Sequence, residues 1–154
     1  MDNGDGTITD NVTGLQWEKK VAGSACVHCV DNFYDWFGAR ESFIPAVNDS
    51  APCDATGCPG PVRGLGGYND WRLPTVAELQ TIVDLTVPGC GVGSPCIDPI
   101  FGPTADATAA DVYWSSTTLA GNSSRVWYVN FFVGLVFDDD KTSSCRVRAV
   151  RGGR

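Results

Sequence analysis

Seven cysteines, Cys26, Cys29, Cys53, Cys58, Cys90, Cys96 and Cys145, are the residues of this chain best suited to chemistry. Cys53 and Cys58 bracket DATG, and Cys90 and Cys96 bracket GVGSP. Each pair closes a tight loop in a Gly- and Pro-rich stretch, where a stiff backbone favours bridging. Both are expected to be local disulfides, which places the chain in an oxidising compartment. A rival reading joins Cys26-x2-Cys29 to Cys53-x4-Cys58 as a four-thiolate zinc site, although the pairs stand further apart than in common zinc ribbons. The odd count leaves one thiol over, so Cys145 is free, bridges back to Cys26 or Cys29, or links two chains.

Other reactive groups are sparse. His28 is the only histidine, and a Ser-His-Asp hydrolase would have to be built around it; lying between two cysteines in a polar loop, it reads as a surface residue. Asp138, Asp139 and Asp140 are consecutive and cannot all face one point, so they read as a solvated strand end rather than a carboxylate pair. Asn3, Asp5 and the Asp138–Asp140 run offer hard oxygen ligands. The full calcium-loop spacing is nevertheless absent, which leaves a structural calcium ion open and no cofactor assigned. The last ten residues hold four of the eleven basic side chains. Strand alternation puts Arg146 and Arg148 on one face, either as a basic strip or paired with Asp138–Asp140 on a neighbouring strand.

The run NSSRVWYVNFF, residues 122–132, is the strongest recognition candidate. In a strand, Trp127, Val129 and Phe131 share one face and Tyr128, Asn130 and Phe132 the other, so both faces are buried or one meets a ligand. Asn122, Ser123, Arg125, Tyr128 and Asn130 combine amide, hydroxyl, guanidinium and aromatic groups and are the expected ligand-binding set. They suit a neutral sugar or a peptide surface.

The elements that must position these groups follow from pattern. The 154 residues are 43% hydrophobic, enough for one core, and a single domain over 1–154 is expected. A formal charge of −7 and the lack of an 18-residue apolar run argue against nucleic acid and a membrane span. The first residues, MDNGDGTITD, lack the basic and apolar regions of a signal peptide, so an export signal would have to lie outside this chain. Residues 7–18 read as a hairpin around Asn11-Val12-Thr13-Gly14. Apolar spacings of three and four predict a helix from Phe33 to Val47, capped by Asp31 or Asn32 and loosened near Gly38. Thr75-x-x-Glu78 is a capping box that starts a second helix, expected to end near Leu85. Just before it, Arg72 between Trp71 and Leu73 is expected to be buried and charge-paired, its loss costing about 3 kcal/mol. Four β-rich runs follow residue 110: VYWSSTT, RVWYVNFF, LVFDD and CRVRAV. Helices first and an antiparallel sheet last give an α+β class.

Several motifs in order carry a family resemblance: DNGDGTITDNVTGLQWEKK, NDWRLPTVAELQTIVD at 69–84, FGPT at 101–104, YWSSTT at 113–118 and VRAVRGG at 147–153. From Asp2 to Gly153 the chain resembles the C-terminal domain of Legionella collagen-like adhesins. The RLPT-x-x-E run is also similar to the formylglycine-generating enzymes, whose fold is that of C-type lectins. The resemblance implies a C-type-lectin-like fold, with two main helices flanking a sheet, termini close together, and ligands held by the second half of the chain. It implies an adhesion module, extracellular, at the cell surface or periplasmic, that binds a glycan or protein and is open to homo-oligomerisation. Two alternatives stand beside it: a metal-dependent relative of the formylglycine enzymes, and a receptor diversified by a retroelement. Against the first, Ser144 and Ala149 occupy the positions resembling the enzymes' copper-binding cysteines, with Cys145 one place off. The sugar-binding triplets of C-type lectins, Glu-Pro-Asn and Gln-Pro-Asp, do not occur.

Overall fold

The computed structural model describes residues 1–24, 26–49, 64–101 and 111–153 of the chain. Cys53 and Cys58, with their expected bridge, lie outside the described residues. The class is mixed α+β with two three-stranded antiparallel sheets. The hairpin forms as the turn chemistry demands: β1 (Thr7–Thr9) pairs with β2 (Leu15–Glu18). The connecting turn is closed by Gly14, whose φ of 73° suits a residue without a Cβ, and by its N–H bond to the Asp10 carbonyl at 2.9 Å.

The first helical stretch starts later than the apolar spacing suggests. Asp35, not Asp31 or Asn32, is the cap, its carboxylate accepting from the Gly38 N–H at 2.6 Å, and Phe33 stays outside, half exposed. Helix α1 (Trp36–Gly38), a π-helical turn (Ala39–Phe43) and α2 (Ile44–Asp49) then run on without a break in αR backbone. The loosening expected near Gly38 is that π turn. Pro45 has no N–H to return to the preceding turn, and the widened turn just before it, where Ile44 N–H bonds Ala39 O, accommodates the proline without ending the helix. Ala39, Phe43 and Val47 form the buried stripe.

Helix α3 (Val76–Thr81) begins with the expected capping box: Thr75 Oγ1 accepts from Glu78 N–H at 3.2 Å, and Thr75 N–H donates to Glu78 Oε2 at 2.7 Å. It stops four residues short of Leu85, because the Asp84 N–H is taken by the Cys96 carbonyl at 2.9 Å instead of by the helix. That carbonyl belongs to the loop closed by the expected Cys90–Cys96 disulfide. Cys26 and Cys29, whose pairing the sequence left open, are bonded to each other, and Cys145 is a free, buried thiol. The four-thiolate zinc reading thereby loses one of its two pairs.

Strands β3 (Val112–Thr118), β4 (Arg125–Asn130) and β5 (Leu135–Asp140) make the second sheet. CRVRAV is not its fourth strand. β6 (Val150–Gly152) pairs with β2, so the first and last strands share one sheet with β2 between them. Residues 145–149 thread between the two sheets instead: Arg146 N–H bonds Val112 O, Trp114 N–H bonds Arg146 O, and Glu18 N–H bonds Ala149 O, each at 3.0 Å. Strands β3 and β4 of the second sheet pack on both faces, whereas β5 keeps Leu135 and Phe137 exposed. Trp114 and Val126 join the cluster of Trp36, Phe43, Val47 and Trp71, whereas Tyr113, Val129 and Phe131 join that of Trp17, Leu79, Phe101 and Val150. The long helical stretch and α3 therefore pack into opposite clusters.

Candidate functional site

The five residues expected to bind ligand do not converge. Asn122 Oδ1 accepts from Ser124 N–H and Oγ at 3.2 and 2.8 Å, closing the exposed turn that also carries Ser123. Arg125 Nε bonds the Asp138 carboxylate and its Nη2 donates to Asp138 O at 2.9 Å. That salt bridge pushes the Arg125 pKa up and is solvent-screened. Tyr128 is half-buried between Trp114 and Phe137, with ring centroids 6.2 and 5.9 Å away. Asn130 Oδ1 accepts from Phe132 N–H at 2.8 Å. Because alternate side chains of a strand point to opposite faces, Arg125 shares its face with Trp127, whereas Tyr128 and Asn130 share theirs with the register partners Leu135 and Phe137 of β5. Leu135 and Phe137 are exposed.

A cleft of about 500 Å³ opens instead between the long helical stretch, the segment leading into α3, and β3, lined by Arg40, Ile44, Arg72, Leu73, Thr75, Glu78 and Ser116. Arg72 is held there by two bonds to Glu78, at 2.8 and 2.6 Å. The bond to Glu78 raises the Arg72 pKa, and the same bond lowers that of Glu78. The expected charge pair is present, but its burial is not: the Arg72 side chain keeps 43% of its surface, because the guanidinium lies over the cap of α3 and not in the core. Arg40 rises from the π turn with its guanidinium 4.5 Å from the centroid of Trp36, and Lys141 Nζ stands 4.2 Å from the same ring. Neither Arg40 nor Lys141 has an ion pair among the described residues. Nothing in the sequence marked Arg40 or Ser116; only the fold sets the π turn against β3.

The second unexpected assembly is internal. Glu18 is fully buried and bonded to Lys20 Nζ at 2.9 Å, His28 Nδ1 at 2.8 Å and Ala149 N–H at 2.9 Å. Burial works against its ionisation, yet Lys20, His28 and the N–H outweigh it and hold the carboxyl at about 2. Burial pulls Lys20 and Arg148 down, with Glu18 opposing in both. His28 is thus a core residue, 7% exposed, and not the surface histidine its polar neighbours suggest. Nor is there a basic strip. Arg148 is fully buried, donating to Glu18 O at 2.6 Å, and Arg146 bonds Val30 O, Asp31 and Asp111. Neither pairs with Asp138–Asp140. Alternation correctly puts both arginines on one face, but that face looks inward, towards Glu18 and the carbonyls.

Among the described residues, no three His, Cys, Asp or Glu side chains are grouped so as to hold a metal ion. Asp5 Oδ1 is bonded to Thr7 N–H and Oγ1 at 3.0 and 2.5 Å, and the Asn3 amide to Thr7 and Thr9, so the opening DNGDG closes its own turn. Asp140 turns to Thr142. Burial, with Asp139 and Asp111 nearby, pushes the Cys145 thiol up to about 12, so it stays protonated, and Ser144 and Ala149 supply no second sulfur. No described helix is long and apolar enough to cross a membrane.

Over residues 6–151 the chain matches the family model described as the Lcl C-terminal domain. It belongs to the Lcl C-terminal domain family. The match takes in both sheets, the Arg40 cleft and the Glu18 centre, so all of these are parts of the family domain. No curated protein matches the chain.

Proposed function

We propose that this domain is a non-enzymatic recognition module of an exported bacterial protein, binding an extracellular glycan or protein through the second sheet and the segments beside it. The observation that carries the reading is the open cleft with an exposed Arg40, stacked on Trp36 and without an ion pair among the described residues. The groups best able to move protons, Glu18, Lys20 and His28, are buried and bonded to one another, which suits stability and not turnover. Membership of the Lcl C-terminal domain family supports adhesion, and two disulfides among the described residues are compatible with secretion.

The ligand we favour is a saccharide bearing a carboxylate or sulfate. Arg40 offers a guanidinium fork, Thr75 and Ser116 offer hydroxyls, and Ile44 and Leu73 offer apolar surface for a ring face. Net charge argues against an anionic ligand, but Arg40 and Lys141 bring two cations to the one Trp36 ring. A second reading places ligand on Tyr128 and Asn130, beside exposed Leu135 and Phe137. An array of neutral and acidic glycans, followed by titration of the hits against variants, separates the two. Arg40→Ala should weaken binding about ten- to a hundredfold, the range for a charged hydrogen bond. Lys19→Ala, an exposed pair with Asp2, is the control; Thr7→Ala is unsuitable because Thr7 is fully buried. Unchanged affinity in Arg40→Ala together with loss in Tyr128→Ala would move the site to the second surface. Absence of any glycan or protein ligand would remove the function.

A further inference from the structure

Cys26, Val27, His28 and Cys29 form a two-residue disulfide loop, and its two sulfurs are not equivalent. Cys26 is half-buried, whereas Cys29 is 5% exposed. The Cys26 N–H lies 3.2 Å from Cys29 Sγ, and the Ala22 carbonyl stands further off at 3.8 Å. Negative charge arriving on Cys29 would therefore meet a hydrogen-bond donor first. At Cys96 the arrangement is reversed: its sulfur faces the Phe132 carbonyl at 3.2 Å, which would repel a thiolate. A better-stabilised leaving thiolate departs faster.

The chain around the loop is fixed as well. The Arg146 guanidinium bonds the carbonyl of Val30, next to Cys29, and the Lys20 and His28 side chains share the Glu18 carboxylate. The loop is also pinned without its bridge: Val21 N–H bonds His28 O at 3.1 Å, Val30 N–H bonds Val21 O at 2.9 Å, and Asn32 Nδ2 donates to Cys26 O at 2.6 Å. Opening the bond need not collapse it.

We propose that Cys26–Cys29 is a thiol–disulfide exchange site that takes two electrons from a dithiol. One thiolate of the dithiol attacks Cys26 Sγ, forming a mixed disulfide as the Cys26–Cys29 bond breaks, and Cys29 leaves as a thiolate that is then protonated from solvent. The second thiol of the dithiol loses its proton and attacks its own sulfur in the mixed disulfide. Cys26 departs and is protonated, so that the bridge has become two thiols and the dithiol a disulfide.

The test uses the folded full chain and dithiothreitol as the dithiol, with timed alkylation, peptide mass mapping and far-UV circular dichroism. Cys26 and Cys29 should become alkylated faster than Cys90 and Cys96 by about tenfold or more, with the circular dichroism unchanged. Equal rates at the two bridges, or opening of Cys26–Cys29 only as the dichroism is lost, would overturn the proposal. With oxidised glutathione as probe, Cys29→Ser should form the mixed disulfide at Cys26 faster than Cys26→Ser forms it at Cys29; the reverse order would refute the assigned direction of attack. The wild-type rates decide the main claim even where a variant does not fold.

Discussion

Glu18→Gln removes one negative charge from the centre of the molecule while keeping the shape of the side chain. Lys20 and Arg148, both fully or almost fully buried, would then share a site from which their carboxylate has gone. The cost follows from linkage. A carboxyl held at about 2 in the folded chain, against 4.5 in the unfolded one, differs by about 2.5 pH units, or about 3 kcal/mol. Breaking buried ion pairs by removing one partner costs the same order. Because the folded value is the depressed one, the stabilisation is complete above about pH 4.5 and disappears as the pH falls through about 2. Thermal unfolding at pH 7 should therefore place Glu18→Gln about 6–12 °C below the parent, and the gap should narrow steadily between pH 4.5 and 2. A variant that melts with the parent at pH 7, or a gap that does not change with acid, would refute the reasoning.

Arg72→Ala should cost about 1 kcal/mol and not the 3 kcal/mol of a buried pair, since its bonds to Glu78 are screened by solvent; denaturant titration measures the difference. Cys90→Ser should lower stability by about 2 kcal/mol, the loop-closure value for so short a ring, in the same titration. It should also raise hydrogen exchange at Asp84, whose N–H is held by the loop through Cys96 O.

What the sequence made legible is what local chemistry decides. Thr75 and Glu78 cap a helix wherever the rest of the chain goes, and the Asn11–Gly14 turn and the VYWSSTT run of β3 likewise appear where their residues put them. The short Cys90–Cys96 bridge belongs to the same class. Long-range decisions were not legible. Alternation assigns Arg146 and Arg148 to one face, but only Glu18, some 130 positions earlier, determines that the face is internal. His28 looks exposed among polar neighbours until that same carboxylate arrives. Residue type alone groups Asn122, Ser123, Arg125, Tyr128 and Asn130, whereas strand geometry leaves the first two in the turn and sets Arg125 on the opposite face of β4 from Tyr128 and Asn130. Arg40 gave no signal because its cleft is made by three segments distant in sequence.

The stretch 145–150 also sets the order in which the domain can come together. It provides Val147 and Ala149 to one cluster, Val150 to the other, and the Arg148 guanidinium to the carbonyl of Glu18. All of β1 to β5 precedes it in the chain. During synthesis neither cluster has its shared wall until these residues emerge, and the pairing of β6 with β2 must close a loop of more than a hundred residues. Both cores therefore stay incomplete until residues 145–150 dock between them.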